Sequence, residues 1–138
     1  MRIEAIRDSI SNEYNRIHLL PICDIPTNEI GIYNTVKRYL ASYPHVSSIF
    51  YATSLNSGGI IAIQEAGLQN KVRIITLDMN DFIIEGLKNG SISASISQNP
   101  YVTGYNAAKI VFNKLLGSKN NPDLTKIKCD IIIHVNLI

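Results

Sequence analysis

At 138 residues the chain has the length of one domain, and 46% apolar residues with a mean hydropathy of +0.08 suffice for an ordinary buried core, which excludes disorder. Thirteen Lys and Arg against eleven Asp and Glu leave a net charge of +2, too near neutrality for this segment itself to bind nucleic acid or an anionic membrane by electrostatics. No apolar run approaches the ~18 residues of a membrane span, and the opening MRIEAIRDSI carries neither the apolar stretch nor the small-residue cleavage site of a leader.

In chain order, Ile3, Ile6, Ile10 and Tyr14 recur at helical spacing and predict an opening helix. RIHLLPI (16–22) reads as a strand. Thr27 or Asn28 can cap a second helix carrying Ile30, Tyr33, Val36, Tyr39 and Leu40, which stops before Pro44. SSIFYA (47–52) is the next strand, and the small-residue helix SGGIIAIQEAG closes at Gly67, a left-handed C-cap. VRIITL (72–77) is a strand, a helix follows from Met79 to about Asn89 with Gly90 as its stop, and SASIS (93–97) is a strand. Asn99-Pro100, a cap followed by proline at the first helical position, opens a helix that runs to Leu116 or Gly117. A polar loop and a last strand, KIKCDIIIHV (126–135), complete the chain. Apolar strands alternating with helices predict an α/β domain, a parallel sheet covered on both faces. The chain opens on a helix with no strand before it, although such units are normally entered from the sheet, so a strand is expected upstream of Met1.

Cys23 and Cys129 share no short spacing with each other or with His18, His45 and His134, so neither a zinc site nor a redox pair is expected. Two buried free thiols are expected instead. In an open parallel sheet, ligands bind beyond the carboxyl ends of the strands. The residues just past those ends are Cys23-Asp24, Thr53-Ser54, Asp78 and Gln98. An acid, an amide and hydroxyls on one edge suit a neutral polyhydroxy ligand, which needs both donors and acceptors. Each residue also has a plainer role: Asp78 can cap the helix near Met79, Ser54 the SGG helix, and Gln98 can be a surface residue. Capping explains single residues without requiring that all four ends be polar.

The phosphate-loop, dinucleotide, nucleophile-elbow and zinc-protease motifs are absent, and ICDIPTNE after the first predicted strand contains no glycine. Ser57-Gly58-Gly59 has no following lysine, so close packing explains its glycines better than phosphate binding. Neither catalysis, a cofactor nor a metal is expected.

The stretch VSSIFYATSLNSGGIIAIQEAGLQNKVRIITLDMNDFIIEGLKNGSISASISQNPYVTGYNAAKIVFNKLLG resembles the effector-binding domains of lactose-repressor-type transcription regulators and their periplasmic sugar-binding relatives. The helix ending EAGL, the strand ending in Asp78, LKNGSISASISQNP and Gly104-Tyr105 follow in the family's order over about 45–117, and RIEAI resembles its Arg-x-x-Gly-aromatic helix start. The resemblance implies a type I periplasmic-binding-protein-like fold with two lobes and a ligand cleft between them. It further implies that Arg2 clamps ligand hydroxyls, that Asp78 accepts from two of them, that Gln98 makes an amide contact, and that Thr53, beside Ser54, lies at the contact where many relatives carry Asn. Ala5 stands where the family usually has Gly.

On this resemblance residues 1–138 are the C-terminal portion of a sugar-binding domain. About 1–99 and 118–138 belong to the second lobe, entered after its first strand, and the helix at about 100–117 belongs to the first. The expected protein is the effector domain of a sugar-responsive regulator: cytoplasmic, dimeric, and bound to DNA only through an upstream domain. The alternative is a periplasmic sugar receptor of an ABC transporter or chemotaxis system.

Overall fold

The computed structural model describes residues 2–14, 16–118 and 128–137. Its elements are α1 (Arg2–Glu13), α2 (Glu29–Ser42), β1 (Ser48–Phe50), α3 (Ser57–Glu65), β2 (Arg73–Leu77), α4 (Asp81–Lys88), β3 (Ala94–Ser97), α5 (Pro100–Leu115) and β4 (Asp130–Ile132), followed by a short 3-10 turn at His134–Asn136. The sheet order is β1-β2-β3-β4, with β1, β2 and β3 mutually parallel.

Local chemistry places the helix ends. The Asn28 side chain accepts from the Gly31 N–H at 2.7 Å and begins α2. Asn80 does the same for Ile83 in α4 at 2.9 Å, and Asn99 for Val102 in α5 at 3.2 Å, with Pro100 just inside. Gly67, Gly90 and Gly117 follow their helices at positive φ. Two expected alternatives fall here: α3 begins after Asn56 rather than Ser54, and α4 after Asn80 rather than Asp78.

Register puts Ile49, Tyr51, Ile74, Thr76 and Ser95 on one sheet face. Against it α2 sets Ile32, Val36 and Leu40, α3 sets Ile60, Ala62 and Ile63, and α4 sets Ile83 and Leu87, which with Val72 and Ile92 form the buried core. The opposite face carries Phe50, Ile75 and Ile96, each half-buried, beside the buried Leu77. The tightest seam joins α2 to α3. A Cβ on Gly58 would stand 2.1 Å from the Glu29 carbonyl oxygen, and one on Gly59 would stand 2.4 Å from the Tyr51 hydroxyl. The glycine pair therefore serves close packing. The Gly58 N–H is already taken by the Glu29 carboxylate at 2.6 Å, which leaves it no role toward a phosphate.

Three expectations are corrected. Residues 16–22 form no strand: an apolar run specifies extended backbone, but a strand requires a paired neighbour, and Pro21 lacks one donor. The Tyr39 hydroxyl donates to the Pro21 carbonyl at 2.8 Å, and Ile25 packs against the core, so the segment is held through side chains instead. Cys23 and Cys129 are exposed, Cys23 because its segment lies outside the sheet and Cys129 because it precedes a strand on the sheet edge.

The last strand runs antiparallel to β3, with Ser95 opposite Ile132 and Ser97 opposite Asp130, and within the described part of 126–135 it spans only Asp130–Ile132. A parallel partner needs a crossover helix laid back along the sheet. The element after β3 is α5, which buries no residue, so the chain is not returned to the sheet's amino edge.

Candidate functional site

β1, β2 and β3 point the same way, so their carboxyl ends open onto one edge of the sheet. Phe50 is level with Ile75, which brings Thr53 and Asp78 off that edge three residues later, and Leu77 is level with Ile96, which brings off Gln98 beside them. The connection after β2 turns sharply. Asp78 adopts a left-handed φ of 65°, a conformation that Asp tolerates better than most residues.

Three hydrogen bonds hold that conformation. The Asp78 N–H donates to the Ile96 carbonyl at 2.9 Å, and its carbonyl accepts from the hydroxyl of fully buried Ser95. Its carboxylate Oδ1 accepts from Gln98 Nε2 at 3.3 Å. A strained backbone fixed from several sides is the usual condition of a residue kept for what its side chain presents. Asp78 and Gln98 are both half-buried, and the second carboxylate oxygen of Asp78 has no partner among the described residues. An acceptor and an amide with both donor and acceptor capacity thus stand side by side on an open edge.

Thr53 and Ser54 lie in the loop from β1 to α3. The Thr53 hydroxyl oxygen accepts from the Leu55 N–H at 3.3 Å, and its carbonyl accepts from Asn56 Nδ2 at 3.4 Å. Ser54 is exposed. Arg2 opens α1, but its side chain lies outside the described residues. Cys23-Asp24 follows the unpaired segment and does not stand at a strand end.

Sequence reading overlooked Glu29, Tyr51 and Asn56, which support the Thr53-Ser54 loop from below. Tyr51 is 4% exposed and Asn56 1% exposed. Burial first, and the nearby Glu29 charge second, push the Tyr51 phenol well above its ordinary pKa. The signal for this cluster was the Gly58-Gly59 pair, whose missing side chains admit Glu29 and Tyr51. Among the described residues no group of three His, Cys, Asp or Glu side chains could hold a metal, and no helix is long and apolar enough to cross a membrane.

The family model of the periplasmic binding protein domain matches residues 1–119. The chain belongs to that family. Membership in the lactose-repressor family is not what this match shows. Solved structures share the fold of this chain. GanP from Geobacillus stearothermophilus, described as a glucose-galactose binding protein, superposes with a TM-score of 0.87 at 23% identity, over 99% of this chain and 48% of its own. A carbohydrate transporter solute-binding protein from Agrobacterium radiobacter, solved with D-arabinose, gives 0.87 at 21% identity over 98% of this chain and 46% of its own. A sugar ABC transporter sugar-binding protein from Bacillus halodurans gives 0.86 at 18% identity over 99% and 50%. This chain therefore spans about half the length of the structures it matches. No curated protein sequence matches it.

Proposed function

We propose that this periplasmic binding protein chain supplies one wall of a sugar-binding cleft in a receptor that hands a monosaccharide to an ABC transporter. The Asp78-Gln98 pair at the carboxyl edge carries the proposal. A sugar hydroxyl donates to the free carboxylate oxygen of Asp78, while the Gln98 amide, already oriented by the same carboxylate, meets a neighbouring hydroxyl. Thr53 and Ser54 add hydroxyls from the adjacent strand end, and Arg2 adds a guanidinium from the start of α1. None of these is a nucleophile with a base beside it, which supports binding without catalysis.

Residues 1–99 and 118–138 form the proposed wall, and α5, which exposes Tyr101, Tyr105, Phe112 and Leu115, reaches towards a second lobe. A regulator's effector domain would use the same cleft residues and would pass lobe closure to DNA-binding heads through a dimer. The matched structures are described as sugar receptors of transporters, so the transport reading takes precedence.

Amide NMR of the full-length protein, with both walls of the cleft, titrated with D-glucose, D-galactose, D-arabinose and D-allose tests the proposal. At least one sugar is expected to move the resonances of Thr53, Ser54, Asp78 and Gln98 together. Sugar-dependent shifts confined to other surfaces, or none with any of the four, would overturn it.

A further inference from the structure

The N-terminus of α3 is closed from outside its own segment. Its N-cap residue, Asn56, makes no side-chain capping bond and turns its amide back to the Thr53 carbonyl at 3.4 Å instead. The first turn of a helix leaves four N–H groups without partners and carries partial positive charge. One of those groups, the Gly58 N–H, donates to Glu29 Oε2 at 2.6 Å from the first position of α2, 29 residues earlier. The absent side chain of Gly58 permits this approach.

The loop 52–56 is thereby pinned at both ends. The Tyr51 N–H donates to the Ile75 carbonyl on the sheet at 2.9 Å, and the Gly58 N–H is held by the carboxylate. Between these pins Thr53 and Ser54 face the carboxyl edge. The Asn56 side chain ties the loop to itself and caps nothing; only its backbone carbonyl serves the helix end, accepting from the Ile60 N–H at 3.0 Å. Glu29 is accordingly the side chain that joins α2, the loop and α3.

We propose that Glu29 is a positioning residue for the Thr53-Ser54 end of the site, acting through the N-terminus of α3; this rests on the sugar-binding reading. Glu29 touches no ligand. Its carboxylate fixes where the loop leaves the sheet and enters the helix, so the loop's hydroxyls are placed before a sugar arrives.

Amide NMR and hydrogen exchange of the 138-residue chain, with sugar titration of the full-length protein, each compared with Glu29→Ala and Glu29→Gln, form the test. In Glu29→Ala the Gly58 amide resonance moves upfield, the amides of 53–56 shift, and exchange at Ile60 quickens at least tenfold while Leu87 in α4 is unchanged. Glu29→Gln keeps an oxygen that accepts from Gly58 without the charge, so it moves the same resonances in the same direction by less, and it serves if the alanine variant does not fold. D-galactose, or whichever of the four sugars the native full-length protein binds, binds Glu29→Ala at least fivefold more weakly.

Unchanged amides at 53–56 in both variants would overturn the proposal, as would a displaced loop with undiminished sugar affinity. If the native full-length protein binds none of the four sugars, the sugar reading fails by itself, and the loop resonances alone decide whether Glu29 positions residues 53–56.

Discussion

Asp78 combines a left-handed backbone with a half-buried carboxylate, and the two properties can be separated by substitution. A charge-assisted hydrogen bond in a desolvated cleft is worth roughly 1.5–3 kcal/mol, and ~1.4 kcal/mol is tenfold in affinity. In the full-length protein, Asp78→Ala and Asp78→Gly are both expected to weaken sugar binding at least tenfold by calorimetry, and an unchanged affinity would remove Asp78 from the site. Glycine adopts the left-handed conformation without the Cβ penalty, so Asp78→Gly should melt no lower than Asp78→Ala.

Tyr51 gives a pH dependence. Its folded pKa is raised by burial and by Glu29, so above about pH 10 the unfolded chain releases a proton that the folded chain retains. The Tyr51 contribution is complete below that pH and declines as pH rises. The buried hydroxyl has no hydrogen-bond partner among the described residues, so Tyr51→Phe is expected to match or exceed the native stability by about 1 kcal/mol at pH 7 and to flatten the alkaline decline in urea denaturation. At the exposed thiols, Cys23→Ser and Cys129→Ser should change stability by less than about 0.5 kcal/mol in thermal melts.

Among the elements, the α2-α3 seam bears the sharpest steric demand. Gly58→Ala would force the Glu29 carbonyl away, at a cost of about 1–3 kcal/mol in chemical denaturation. Gly104→Ala is the control: nothing lies within 4 Å of its Cβ position in α5, so it should be neutral or stabilising by up to about 1 kcal/mol. The helices and their stops were legible because caps and C-terminal glycines act within a few residues. Residues 16–22 and β4 were not, because pairing and strand direction depend on partners far along the chain.

For the whole molecule, α5 is the conspicuous surface. Val111, Phe112, Leu115 and Leu116 are between 59% and 81% exposed, and among the described residues β1 ends the sheet with one edge unpaired. Apolar surface and a free strand edge both favour association. The 138-residue chain is expected to self-associate with rising concentration in sedimentation velocity. Phe112→Glu with Leu115→Lys should reduce association without lowering the melting temperature, since α5 buries no residue. Association unaltered by that pair would move the contact to the β1 edge.

By itself, the sequence determined the α/β alternation, the Asn28 and Asn99 caps, the glycine stops and the polar character of the strand ends, all of which follow from short-range periodicity and turn chemistry. It also placed Asp78 and Gln98 just past consecutive strands, on one edge of the sheet. Tertiary structure alone decided that their side chains meet, that Asp78 is bent into a left-handed turn, and that both cysteines are exposed. It alone decided, too, that Glu29 reaches across to α3. The reason is common to all four: each depends on which distant segment comes to lie alongside, and the spacing of residues along the chain carries no record of that.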